Sequence, residues 1–248
     1  MAPEVPLYRT YKEADMATQP MRPPQNVTTA RTAFGDLPPA VLQSLEMVSL
    51  TNHYPTGTEL FTEGQMARGM YVVQRGRVKL SVCASDGRTL ILRIVEAGEA
   101  LGVASTIGNR EYEATAEAQE PCEITFIRQS DVMRLMRSHG EFALWVTQHL
   151  SHDYNATCRE IRTLMLSGSA GEKLARLLVG WLDDHADPSR PGRMKIVLTH
   201  EEIGQMIGTS RETVTRLFAG FKKQRLIQQE GATLVVANRL GLEQLITA

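Results

Sequence analysis

The chain has 248 residues, of which 42% are hydrophobic and 22% are charged, with a formal net charge of −1. This composition suffices for one large core or two smaller ones, and it excludes a disordered or fibrous chain. No apolar run reaches the roughly 18 residues of a membrane helix, and the first residues lack a secretory signal pattern. We therefore expect a soluble, cytoplasmic protein with no membrane partner.

The near-neutral total hides an uneven distribution of charge. From Gly168 onward there are 11 Lys/Arg and 9 Asp/Glu, against 16 and 19 in the preceding residues. The segment from Arg211 to Arg225 contains five basic residues and one acidic residue, Glu212. A local basic cluster of this kind is a candidate footprint for a polyanion, although a solvated helix face has the same composition.

Three cysteines, Cys83, Cys122 and Cys158, lie far apart with no C-x-x-C pairing. A disulfide framework and a four-thiolate cluster within one chain are therefore excluded, and we expect reduced thiols. A redox role for Cys158 stays open.

The first 138 residues divide into two predicted regions. Residues 1–30 are rich in proline and threonine and have no apolar periodicity, which predicts a flexible extension. Residues 31–138 contain short alternating apolar runs, such as Val78, Leu80 and Val82, punctuated by glycines about every ten residues. This pattern predicts an antiparallel β-sandwich or barrel.

A helical period follows at residues 139–167. Apolar and small residues recur at alternating steps of four and three, which is the a/d pattern of a coiled coil. After Ala143, the predicted dimer seam comprises Thr147, Leu150, Tyr154, Thr157, Ile161 and Leu164. Because polar residues flank this narrow stripe, we expect it to pair with a second copy of the chain. Three of these flanking residues, His149, His152 and Asp153, have the spacing of metal ligands but are interpreted as solvated, and no metal site is predicted.

Residues 168–248 are predicted to form a second, smaller domain, which begins at a Gly/Ser-rich hinge. Within it, Thr199 with Glu202 three residues later predicts a capping box that begins a helix. Gly208 allows a tight turn, and Ser210 caps a second helix. The pattern is that of a helix-turn-helix, and residues 228–236 after it predict a hairpin wing.

The second helix of this motif carries the residues that indicate a function. Arg211, Glu212 and Arg216 lie in its first two turns, away from the apolar face. Arginine reads guanine through O6 and N7, and glutamate accepts from the cytosine amino group, so this helix start favours G·C pairs in double-stranded DNA. Candidate phosphate contacts are Thr199, His200, Ser210 and Thr213.

These residues also carry a resemblance to a known family. The stretch THEEIGQMIGTSRETVTRLFAGFKKQRLIQQEGATLVV closely resembles the CRP/FNR family of bacterial transcription factors. Upstream, GTELFTEGQ, MYVVQRGRVKL and AGEALG are typical of that family's β-roll sensor domain, so the resemblance covers residues 34 to 240. It implies an α+β protein with an N-terminal antiparallel β-roll, a long dimerisation helix and a C-terminal winged helix-turn-helix.

The resemblance also implies a mode of DNA binding. Arg211, Glu212 and Arg216 match the base-reading positions of members that bind a TGTGA-like half-site. Two such helices in a two-fold dimer would read an inverted repeat about one DNA turn apart. RNA polymerase is an expected partner, and the loop at residues 187–193 falls where the family's activating surface lies.

The effector is left open by the sequence. In members that respond to cyclic AMP, an Arg-Ser pair holds the phosphate, and Tyr112 and Glu113 stand in its place here. Since a carboxylate repels a phosphate, cyclic AMP is disfavoured. An iron-sulfur cluster is excluded because residues 1–82 contain no cysteine, and haem is not expected because His53 is the only histidine before residue 139. The predicted effector pocket comprises Gly98, Glu99, Arg110, Tyr112, Glu113 and Arg159.

Two other classes of function were weighed against a DNA-binding regulator. A cyclic-nucleotide-type module could act through protein partners, but protein contacts do not require the Arg211, Glu212 and Arg216 arrangement. An enzyme is not expected, because the chain has no His-rich barrel, P-loop or dinucleotide fingerprint.

Overall fold

The computed structural model describes residue 34 and residues 37–184, 192–195, 198–230 and 233–247. The predicted extension at residues 1–30 and most of the predicted loop at residues 187–193 lie outside the described residues. Within the described residues, the chain forms an N-terminal β-rich unit, a long helix and a C-terminal helical unit with a small sheet. None of the described helices combines the length and hydrophobicity that crossing a membrane requires.

The N-terminal unit is built on two four-stranded antiparallel sheets. The strands are β1 (Ser49–Tyr54), β2 (Glu59–Phe61), β3 (Gly69–Arg75), β4 (Val78–Cys83), β5 (Thr89–Val95), β6 (Ala100–Leu101), β7 (Thr115–Ala118) and β8 (Cys122–Arg128). One sheet has the order β1-β8-β3-β6 and the other has the order β2-β7-β4-β5. Glycines with positive φ, such as Gly76 (φ 86°) and Gly87 (φ 84°), allow the tight turns on either side of β4.

Alternation along β3 explains how this unit builds two cores. Val73 faces the interior of the roll with Val78, while Met70 and Val72 face the other side. That second face packs against α1 (Pro39–Glu46), α3 (Gln129–Ser138) and the start of α4 (Gly140–Leu166), and Val103 joins the same core. A short helix, α2 (Val103–Gly108), follows β6. Because side chains on a strand alternate between faces, one strand supplies both cores.

The long helix α4 is buried at its start and exposed beyond it. Phe142 and Val146 are fully buried against the β-rich unit. Farther along, Tyr154, Ile161 and Met165 are 71%, 54% and 75% exposed. The second half of the helix therefore presents a stripe of large apolar side chains that its own chain does not cover.

The C-terminal unit surrounds a separate core. Its elements are α5 (Ala170–Asp184), β9 (Arg193–Lys195), α6 (His200–Ile207), α7 (Arg211–Lys223), β10 (Ile227–Glu230), β11 (Thr233–Val236) and α8 (Arg239–Thr247). The strand order is β10-β11-β9, all antiparallel. Leu174 and Leu178 of α5 pack against Ile203, Val214 and Phe218. One apolar cluster thus holds all the described helices of this unit.

The predicted elements are confirmed in type. The alternating runs form strands, the seam lies on one helix of 27 residues, and β10 pairs antiparallel with β11 where the sequence predicts the hairpin wing. The predicted hinge is the short connection between α4 and α5. There the Gly168 amide donates to Glu172 Oε2 at 2.7 Å, and Arg176 Nε donates to Ser167 Oγ at 3.0 Å. These two hydrogen bonds hold the connection against α5.

Gly204 offers a test of the close packing between α6 and the turn after it. A Cβ at Gly204 would lie 2.7 Å from the Thr209 carbonyl oxygen, whereas a Cβ at Gly220 in α7 would meet nothing within 4 Å. We expect Gly204→Ala to destabilise the protein by about 1–3 kcal/mol through overpacking. The matched Gly220→Ala should stabilise it by up to about 1 kcal/mol, since alanine favours a helix. Urea unfolding followed by circular dichroism measures both, and a gain in stability for Gly204→Ala would contradict the packing described.

Candidate nucleic-acid interface

Helix α6 begins with the capping box that the sequence predicts. Thr199 Oγ1 accepts from the Glu202 amide at 3.2 Å, and Glu202 Oε2 accepts from the Thr199 amide at 2.8 Å. The helix ends at Gly208 in the left-handed region, with φ 65°. Ser210 then caps α7, where its Oγ accepts from the Thr213 amide at 3.3 Å. The local sequence therefore fixes both helix starts by side-chain hydrogen bonds.

The buried face of α7 determines which side chains point outward. Val214 and Phe218 are buried against α6, while Arg211, Glu212 and Arg216 are exposed. At 100° per residue these three span an arc of about 140° on one side of the helix. Neither Arg211 nor Arg216 forms an ion pair with any residue that the structure describes. Both guanidinium groups are thus available to an outside partner.

The third exposed residue, Glu212, is held in its charged form. Its own backbone amide and the Ser210 hydroxyl hold the pKa of the Glu212 carboxyl below its usual range. An ionised carboxylate accepts hydrogen bonds and donates none, so it suits a base that offers an amino group.

The four predicted phosphate-contacting residues gather at the two helix starts. Thr199 and Ser210 are exposed, and His200 and Thr213 are half-buried. Ser210 Oγ also lies 3.2 Å from Thr213 Oγ1. Helix N-termini direct unpaired amide groups outward, so this arrangement suits an anion.

His200 is engaged with α7 in a way that the sequence did not indicate. Its Nδ1 lies 2.9 Å from Thr215 Oγ1, and its ring stacks on Phe218 at a centroid distance of 4.9 Å. Thr215 was not among the predicted site residues. Its position one helical turn after Arg211, on the exposed side of α7, was the available signal.

The structure does not bring the six predicted effector-pocket residues together. Tyr112 is only 3% exposed, its ring stacks on Phe61 at 3.9 Å, and its hydroxyl donates to the Gly69 carbonyl at 2.6 Å. Burial raises the pKa of the Tyr112 hydroxyl. This corrects the expectation that Tyr112 faces a ligand, because its hydroxyl and ring are both used within the core.

Glu113 and Arg110 lie at the end of α2. The buried Ser105 hydroxyl of α2 donates to the Glu113 carboxylate. Arg110 is exposed on the loop that follows. A carboxylate therefore already occupies the hydroxyl donor that α2 offers on this side of the roll.

The remaining predicted pocket residues lie elsewhere, between the roll and α4. Glu99 faces Arg93 of β5 at 3.6 Å and His152 of α4 at 3.4 Å. Gly98 presents its carbonyl to His149 Nε2 at 3.3 Å. Arg159, with Glu99, lines a cavity of about 930 Å³ between β5, α4 and α5. These residues thus contact α4, whereas Glu113 contacts α2.

The charged groups of α4 in this region are tied to the roll. Asp153 accepts from Arg93 at 2.9 Å, which corrects the interpretation of this residue as solvated. Burial raises the pKa of the Asp153 carboxyl and raises that of Glu160 to about 7. Across the described ranges, no three His, Cys, Asp or Glu side chains gather closely enough to hold a metal ion.

One hydrogen bond joins the roll directly to the helix-turn-helix. Gln119 Nε2, in the turn between β7 and β8, donates to Glu202 Oε1 at 2.9 Å. That turn is braced, because Arg77 donates to both oxygens of Glu120 at 3.1 and 2.9 Å. The carboxylate that caps α6 therefore also contacts the β-rich unit.

Comparisons with known proteins agree with this arrangement. Residues 51–139 match the model of the cyclic nucleotide-binding domain, and residues 172–245 match that of the Crp-like helix-turn-helix domain. The cAMP-activated global transcriptional regulator CRP of Haemophilus influenzae is 30% identical over 184 residues, which cover 74% of this chain and 82% of that protein.

Solved structures show the same fold. FixK2 from Bradyrhizobium japonicum matches with a TM-score of 0.71 at 22% identity, over 81% of this chain and 98% of that one. A CooA mutant from Carboxydothermus hydrogenoformans matches with a TM-score of 0.71 at 22% identity, over 84% and 90%. Together with the relative that is 30% identical, these findings show that the chain belongs to the CRP/FNR family of DNA-binding transcription regulators.

Proposed function

We propose that this regulator acts as a homodimer that reads an inverted repeat with TGTGA-like half-sites. The observation that carries the proposal is the surface of α7, where Arg211, Glu212 and Arg216 are exposed together while the apolar face of the helix is buried. The fold and the family support DNA as the partner. The preference for G·C pairs is inferred from side-chain chemistry, and the TGTGA-like half-site is inferred from the resemblance of the three positions to the family's base-reading residues.

The chemistry of the three side chains matches the predicted half-site. A guanidinium group bonds both O6 and N7 of guanine, so Arg211 and Arg216 each suit a G·C pair. The ionised Glu212 accepts from the amino group of cytosine, which is the partner of guanine in the opposite strand. An alternative partner protein would not need two exposed arginines beside an ionised carboxylate.

The exposed stripe on α4 supports a dimer. Thr147, Tyr154, Thr157 and Ile161 of the predicted seam are exposed, and Leu150 and Leu164 are half-buried. Leu150 also packs against the core of its own β-rich unit. A second α4 packed along the exposed part would bury Tyr154 and Ile161 in knobs-into-holes contacts. It would also place the two α7 helices about a two-fold axis, as an inverted repeat requires.

The sensor side supports regulation that does not depend on cyclic AMP. A phosphate placed beside α2 would meet the Glu113 carboxylate, and the buried Tyr112 offers it no hydrogen-bond donor. Like charges at short distance repel, and the repulsion grows where water is excluded. We infer that the roll either is degenerate towards cyclic nucleotides or responds to a different effector.

Substitution of Arg211 tests the base-reading proposal. Arg211→Ala should weaken binding to the TGTGA-like duplex by about 1–3 kcal/mol and relax the preference at one base pair. The matched control is Lys223→Ala, an exposed cation at the far end of α7. Because Lys223 lies about three turns from Arg211, this substitution should leave the preference at that base pair unchanged. Fluorescence anisotropy with single-base variants of the duplex measures both. A uniform loss for Arg211→Ala would instead make Arg211 a phosphate contact.

The proposal for the sensor is tested by titration with cyclic AMP. Because Glu113 would oppose the nucleotide phosphate, we expect no saturable heat in calorimetry and no change in affinity for the duplex. As a control, the same protein sample should bind the specific duplex without nucleotide, which shows that the sample is active. Tighter DNA binding with cyclic AMP would contradict the proposal and would mean that Arg110 or another group holds the phosphate.

A further inference from the structure

His200 is held so that one ring nitrogen faces its own chain and the other does not. Nδ1 lies 2.9 Å from Thr215 Oγ1, and the ring face is stacked on Phe218 with an interplanar angle of 25°. Nε2, across the ring, makes no hydrogen bond to the part of the chain that the structure describes. The residue is half-buried at the start of α6, beside the phosphate-contacting candidates Thr199 and Ser210. Nε2 is therefore the atom of His200 that remains for an outside contact.

The hydrogen bond of Thr215 decides which nitrogen carries the proton. The Thr215 hydroxyl donates to the Arg211 carbonyl at 3.0 Å. A hydroxyl has a single proton, so towards His200 it acts as an acceptor and Nδ1 is the donor. A neutral imidazole protonated at Nδ1 has a bare lone pair at Nε2. Phosphate oxygens are also acceptors, so this neutral ring has nothing to offer a DNA phosphate through Nε2.

The surroundings keep the ring neutral before DNA is bound. Burial, and then the positive charges of Lys222 and Arg211 on α7, lower the pKa of His200. On α6 itself, Glu201 is the exposed acid next in sequence, while Glu202 bonds the Thr199 amide and Gln119. The N-terminus of α6 is the positive end of the helix dipole, so it also disfavours a positive charge on the His200 ring.

From this geometry we propose that His200 binds a DNA phosphate only as an imidazolium, so that docking on DNA takes up one proton at Nε2. The inference rests on the proposed function and adds a regulation by pH to the same interface. The phosphate supplies the negative charge that favours protonation, which opposes the effect of Lys222 and Arg211. Thr215 is the positioning residue, because its hydroxyl commits Nδ1.

The sign of the pH dependence follows from linkage. The pKa of His200 is lowered in the free protein and is higher when phosphate is bound, so the complex holds more protons than its parts between these two values. Affinity for DNA then rises as pH falls through this interval, by up to about tenfold per pH unit for one proton. It levels off below the free-state pKa and above the bound-state pKa.

The test is anisotropy titration of the specific duplex between pH 6 and pH 8 at constant ionic strength, with three His200 forms. The wild type should bind more tightly as the pH falls. His200→Gln should bind weakly with a much flatter profile, and His200→Arg should bind tightly with a flat profile, since its charge is permanent. Thr215→Val removes the hydroxyl that commits Nδ1, so the neutral ring can present an Nε2 proton and the pH dependence should become shallower.

Three outcomes overturn the inference. A flat wild-type profile, or the same slope in His200→Gln, would show that His200 takes up no proton. An NMR titration of the His200 ring in the full chain gives a second readout, and an equal pKa with and without duplex would have the same meaning. If no form binds the specific duplex better than a scrambled one at any pH, the proposed function itself fails, which is a different result.

Discussion

The DNA interface depends on the close packing of α6 against α7 and the turn that joins them. Gly204 lets the Thr209 carbonyl approach to a distance that a Cβ would block, and Gly208 adopts φ 65° to turn the chain. This packing buries one face of α7 among apolar side chains and leaves the base-reading candidates exposed. The same approach of the two helices brings the His200 ring onto Phe218 and Thr215. The position of the exposed side chains on α7 thus depends on the close approach of the two helices at Gly204.

The interface is also connected to the rest of the chain. Glu202 caps α6 through the Thr199 amide and accepts from Gln119 of the roll, so the start of α6 is positioned by both units. In the same region of the roll, Arg93 binds Asp153 of α4 and lies near Glu99. A change in the roll can therefore reach the DNA-binding unit directly through the turn at Gln119 or through α4. These are two physical routes by which a ligand at the roll would shift the balance between conformations.

Elements with strong local signals could be predicted from the sequence. The seam of α4 repeats from Ala143 to Leu164 within a helix of 27 residues, and the caps of α6 and α7 use side chains close in sequence to the amides they bind. The short strands β2 and β6 have too few residues for a period, since each is defined by its neighbours in the sheet. The prediction for Tyr112 was wrong for a similar reason, because its surroundings are also set by distant parts of the chain. Only the fold reveals that its hydroxyl meets Gly69, 43 residues away in the chain. Likewise, the Thr215 contact with His200 requires the angle between two helices, which spacing alone does not give.

The most direct test of a dimer that reads sequence compares three duplexes by anisotropy and sedimentation. They are the symmetric TGTGA-N6-TCACA site, the same site with one half scrambled, and a fully scrambled control. We expect two chains to bind the symmetric duplex more tightly than the fully scrambled one, by about three orders of magnitude or more. Losing one half-site should remove much of that gain, as should Ile161→Asp, which places charge in the exposed stripe of α4. Equal affinity for all three duplexes would mean that the protein does not read this sequence as a dimer.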